Sequence, residues 1–113
     1  MWTAMSNVQV FLYAQPCDMR RQMNGLATTV RAELGRDPEG GDLFVFRNRR
    51  GDMIKILFFD ARGCCLLCKR LHEGTFKVGL HAANGGRSIL ITQRELVSLL
   101  SDAEIVERTA ETT

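Results

Sequence analysis

Cations are the side chains in this sequence most able to do chemistry. Between Leu43 and Lys77 stand eight basic residues, Arg47, Arg49, Arg50, Lys55, Arg62, Lys69, Arg70 and Lys77, against three acids, Asp52, Asp60 and Glu73. The planar guanidinium presents donors in a fork that matches phosphate and carboxylate oxygens two at a time. Arg47, Arg49, Arg50, Arg62, Lys69 and Arg70 therefore read as a rim for contacting phosphate or an acidic partner. The same residues would equally serve solubility and the protection of a sheet edge. Arg20, Arg21 and Arg31 add cations upstream. Arg20 stands out because a cation in the first turn of a helix opposes the helix dipole, which points to a use other than helix stability.

Cys64, Cys65, Cys68, His72 and His81 raise the question of zinc. Cys65 and Cys68 have the spacing of a ligand pair, but a closed site needs four ligands in tetrahedral geometry. In a strand, residues 65 and 68 point to opposite faces about 10 Å apart, and Cys68 and His72 stand roughly 13 Å apart. Only a helix would gather Cys64, Cys68 and His72. The expectation is thiols used for packing, with no metal or other cofactor. Asp18, Asp52 and Asp60 can be imagined as a metal-binding triad for strand transfer. None of them has a second carboxylate at i+2 or i+4. Asp52 and Asp60 sit in turn sequences, where aspartate bonds its own backbone. No residue is assigned to catalysis, and the chain is expected not to be an enzyme.

The elements that must position these cations predict an α+β fold. It is a small, mainly antiparallel β-meander packed by an N-terminal helix, about 18–34, and a C-terminal helix, about 92–101. Val8 to Tyr13 reads as a first strand. Asp18 is placed as a helix cap, and Met19, Met23, Leu26, Ala27, Val30 and Leu34 keep to one helical face. Gly35 suits the left-handed stop. Apolar runs at 43–46, 53–59 and 64–67 alternate with the turns Arg49-Arg50-Gly51-Asp52 and Asp60-Ala61-Arg62-Gly63. Both alternating sets of 54–59 are mostly apolar, which predicts a central strand covered on both faces. Ser88 to Ile91 reads as a last strand. Thr92 and Glu95 form a capping box ahead of Leu96, Leu99 and Leu100.

Length and charge set wider bounds. The 113 residues, 45% hydrophobic, suit a single domain over 1–113, with residues 1–6 and 108–113 expected as disordered ends and 81–86 as a flexible connection. There is no apolar run near the roughly 20 residues that cross a bilayer, and the start does not read as a signal peptide, so a cytoplasmic location is expected. The formal charge of +2 hides an asymmetry. Residues 1–94 carry 14 basic and 8 acidic side chains, whereas 95–113 carry one basic and five acidic.

The segments CDMRRQMNGLATTV (17–30), DPEGGDLFVFRNRRGDMIKILFFD (37–60), GCCLLCKRLHEGTF (63–76) and LITQRELVSLL (90–100) stand in one order over most of the chain. In that order they resemble the insertion-sequence 66 accessory family, the small TnpB of those elements, distinct from the RNA-guided nuclease sharing the name. The most specific pieces are Asp18-Met19-Arg20, Leu43 to Arg47 with the Arg49-Arg50 turn, and Lys69-Arg70-Leu71 followed by Gly74 and Phe76. The chain departs from the pattern at Phe59-Asp60-Ala61, where Trp-Asp-Gly is usual. The resemblance implies a non-catalytic accessory protein of a bacterial transposable element. Such a protein would assist DNA transposition beside a larger transposase by binding DNA, the transposase or both. The alternatives are a protein–protein adaptor that never touches DNA and a metal-dependent enzyme. The oligomeric state is left open.

Overall fold

Five short, mostly apolar segments assemble a sheet, and the two helices cover its opposite faces. The computed structural model describes residues 7–77 and 86–101. In chain order the elements are β1 (Val10–Tyr13), α1 (Met23–Thr29) running into a π-helical turn (Val30–Leu34), β2 (Leu43–Arg47), β3 (Met53–Phe59), β4 (Cys64–Arg70), β5 (Ser88–Ile91) and α2 (Gln93–Ser101). The strand order is β4-β3-β2-β1-β5. β2, β3 and β4 form the antiparallel meander expected from the sequence. β1 pairs antiparallel with β5 and parallel with β2. That one parallel pair follows from the helix between β1 and β2, since parallel neighbours need a crossover rather than a hairpin.

The alternation of β3 splits the core into two layers. Ile54, Ile56 and Phe58 join Val10, Val45 and Phe76 under Leu96 and Leu99 of α2. Leu57 joins Phe11, Phe44 and Phe46 under Leu26 and Val30 of the first helix. β3 is thus covered on both faces, as its twofold apolar pattern predicts, but it lies inside the edge strand β4 while β2 holds the centre of the sheet.

The C-terminal helix begins as its capping box dictates. Thr92 N–H donates to Glu95 Oε1 at 2.8 Å, and Glu95 N–H donates back to Thr92 Oγ1 at 2.9 Å. At the end of the first helix Gly35 has φ 63°, and Arg36 N–H reaches Val30 O at 3.3 Å.

The start of the first helix differs in detail from expectation. Helical structure begins at Met23 after an extended Gln22, and residues 18–21 form a turn closed by Arg21 N–H to Asp18 O at 3.1 Å. Asp18 Oδ1 accepts from the N–H of Arg20 at 2.9 Å, so the aspartate caps this turn instead of the helix. Lys55, only 5% exposed on β3, donates its Nζ to the carbonyls of Met19 and Arg21, each at 2.8 Å. Those carbonyls would otherwise bond helix N–H groups four residues on. Residues 78–85 and 102–113 lie outside the described residues. With them fall His81, most of the expected flexible connection, most of the acidic segment and, with residues 1–6, the ends expected as disordered.

Candidate anion-binding end of the sheet

The β2–β3 turn is built so that two arginines must project. Gly51 N–H donates to Asn48 O at 3.1 Å, leaving Arg49 and Arg50 at the two central positions. Asn48 then locks the turn from inside. Its side chain donates to Asp52 Oδ1 at 2.7 Å and accepts from Met53 N–H at 3.1 Å. Gly51 has φ 78°, and a Cβ there would approach Thr75 Cβ to 3.3 Å. A side chain at 51 is therefore opposed both by the backbone and by the neighbouring segment.

The segment after β4 wraps this turn. Leu71 N–H donates to Asp52 O at 2.8 Å and Phe76 N–H to Gly51 O at 2.7 Å. Phe76 itself is buried in the α2-side core. This clamp brings Arg70, at the end of β4 opposite Met53, to the same end of the sheet as Arg49 and Arg50. Lys77, exposed and next to the anchored Phe76, arrives there too. The rim read from the sequence does not include Lys77, and its only signal along the chain is its place after the Gly74–Phe76 motif.

The cations divide sharply by use. Arg47 is half-buried and donates Nη1 to Phe76 O at 3.2 Å, and burial lowers its pKa. Lys69 donates to the Leu100 carbonyl at the end of α2, where a cation also meets the negative end of the helix dipole. Arg20 lies two-pronged on Asp18, at 2.7 to 3.1 Å. These bonds hold the Asp18 carboxyl down at about 2. The Arg20 side chain is nonetheless 90% exposed. Arg21 bonds Thr29 Oγ1, Arg31 pairs with Glu39, Arg87 pairs with Glu33, and Arg36 lies over the Phe11 ring. Arg49, Arg50 and Arg70 are exposed and have no hydrogen-bonded or ion-pair partner among the described residues. Asp52 lies within their field. Its carboxyl is lowered first by the Asn48 bond and further by Arg50 and Arg70.

Arg62 lies apart. It belongs to the β3–β4 turn, where Asp60 Oδ1 accepts from the N–H groups of Arg62 and Gly63 at 2.7 and 3.0 Å. Seven residues of β3 separate that turn from the first, roughly 20 Å at strand rise. The rim read from the sequence is therefore two ends of one sheet. Cys65 and Cys68 also separate, Cys65 opposite Phe58 and Cys68 opposite Lys55, on different faces. Among the described residues no three His, Cys, Asp or Glu side chains stand close enough to share a metal. None of the described helices is long and apolar enough to cross a membrane.

Comparison with known proteins gives this arrangement a context. A family model described as IS66 Orf2 like protein matches residues 8–110. The chain belongs to that family. The IS66 Orf2-like proteins are accessory to transposition, and the clamp around the β2–β3 turn is made of the segments that carry the resemblance. Among relatives, the uncharacterized protein y4hO of Sinorhizobium fredii (strain NBRC 101917 / NGR234) is 40% identical over 95 residues, 84% of this chain and 80% of its own length. A second protein of that strain, y4jC, also uncharacterized, is 41% identical over 69 residues, 61% of this chain and 59% of its own length. No solved structure matches the chain significantly.

Proposed function

We propose that this IS66 Orf2-like protein assists transposition by binding DNA through the β2–β3 end of its sheet, with Arg49, Arg50, Arg70 and Lys77 on the phosphate backbone and Arg20 at the margin. The observation that carries the reading is the contrast in use of the cations. Arg47, Lys55 and Lys69 are absorbed by carbonyls within the fold, whereas Arg49, Arg50 and Arg70 are held together, exposed and without a partner among the described residues. A rigid turn that presents guanidinium groups together suits neighbouring phosphates. Such phosphate binding carries no base information, so sequence choice would fall to the transposase, which is the expected companion in the same complex. No catalytic step is assigned to the chain.

The test is duplex binding by wild type and by an Arg49→Ala, Arg50→Ala, Arg70→Ala variant across a salt series. The log–log salt slope should fall by roughly 0.9 for each phosphate no longer neutralised, with the melting temperature little changed. Equal affinity and slope in the folded variant would exclude this end as the DNA surface. Transposase capture that disappears in the variant, without any duplex binding by wild type, would favour the adaptor reading.

A further inference from the structure

The sheet ends on β4 at one side and β5 at the other. β5 has four residues, a length that itself limits pairing. β4 has seven, in unbroken register with β3. Two bonds fix its phase: Leu71 N–H to Asp52 O at 2.8 Å and Asp60 N–H to Gly63 O at 3.0 Å. Bonded and non-bonded pairs alternate along an antiparallel ladder. Cys65, Leu67 and Lys69 therefore turn their backbone groups to β3, while Cys64, Leu66, Cys68 and Arg70 turn theirs outward. Among the described residues no strand pairs with that outer edge.

The usual guards of an edge are lacking along most of this strand, and its exposed cation, Arg70, stands only at the end. No residue from Cys64 to Cys68 is charged or proline. Lys69 is drawn to the Leu100 carbonyl, and Leu67 is 40% exposed. We infer that β4 is a self-association edge, on which a second copy of this chain adds antiparallel about a twofold axis at Leu67. That axis sets Leu66 against the partner's Cys68 and Cys64 against the partner's Arg70, so every outward N–H and C=O finds its complement. An axis one residue to either side would strand Arg70 or Cys64. No cation is set opposite a cation, because Lys69 faces the partner's Cys65. The two Leu67 side chains meet as a close non-bonded pair, which covers an exposed apolar residue with its own mate. Leu66 and Cys68 also line a groove of about 710 Å³ beside Gln22, Met23 and Asn24, and the partner strand walls its open side. The same axis brings the Arg62 turn of one copy to the Arg70 end of the other. The inference stands independently of what the basic end binds.

Sedimentation in reducing buffer tests it. Wild type should show twice the 12.7 kDa chain mass. Leu67→Lys and Leu67→Glu should each be monomeric with unchanged circular dichroism. An equimolar mixture of the two should regain the doubled mass, since unlike charges then face each other at 67. A wild type of single mass at every concentration, a doubled mass retained by Leu67→Lys, or a mixture that stays monomeric would each overturn the inference. So would a wild type that doubles only after removal of residues 102–113, which would place the chain's own segment on the edge.

Discussion

Lys55 and Arg49 carry the same charge, yet one is a strut within the fold and the other stands exposed on a turn. Burial with two carbonyl partners makes Lys55 part of the fold. Lys55→Met should destabilise by about 1–3 kcal/mol, because two part-buried carbonyls lose a charged donor. Arg49→Ala should stay within about 0.5 kcal/mol, and urea unfolding of both variants distinguishes the roles. Tyr13 supplies a pH signature. Its hydroxyl donates to Glu33 at 2.5 Å, and burial, then the Glu33 bond, push its pKa up to about 12. A group whose folded pKa is raised contributes stability below its unfolded pKa and loses it as pH rises through the folded value. Stability from Tyr13 should therefore be intact below about pH 10 and fade towards pH 12, and Tyr13→Phe should remove that dependence. As the chain has one tyrosine, phenolate absorbance reads it directly, and a midpoint near the free value would show that Tyr13 is neither buried nor bonded to Glu33 in solution.

At the scale of elements, local signals and long-range packing share control. The Thr92–Glu95 box starts α2 in the sequence and in the structure alike. Thr92→Ala should cost about 1 kcal/mol, measurable as a lower unfolding midpoint. The β2–β3 turn is less autonomous. It has its own Asn48 and Gly51 chemistry, but the 71–76 segment clamps it from outside through Phe76. Phe76→Ala should cost about 3–5 kcal/mol. It should also release the turn, so amide exchange at Gly51 and Met53 should accelerate more than at Phe44. Uniform acceleration would mean that Phe76 stabilises only the core.

Across the whole molecule the charges are distributed unevenly, and the sheet decides where they act. Removing residues 102–113 deletes Asp102, Glu104, Glu107 and Glu111 together with Arg108, raising the formal charge from +2 to +5. Tighter duplex association is expected for the truncated protein at low salt. The gain should fade as the Debye length shortens from about 30 Å at 0.01 M to about 10 Å at 0.1 M. Equal affinities at low salt would remove any competition by that segment.

By itself, the sequence determined the fold class, the covering of β3 on both faces, the capping box, the Gly35 stop and the family. These rest on periodicity or on bonds between residues a few positions apart, so they can be read along the chain. Only the tertiary structure decided which cations stay exposed and unpaired among the described residues. Arg47 and Lys69 are engaged by carbonyls 29 and 31 residues away, and Lys55 holds residues 19 and 21 out of the helix the sequence pattern predicts. It also decided that Arg62 lies at the far end of the sheet while Lys77 joins Arg49 and Arg50. The physical reason is common to all these cases: a side chain's partner is set by strand register and burial, and both depend on residues distant in sequence.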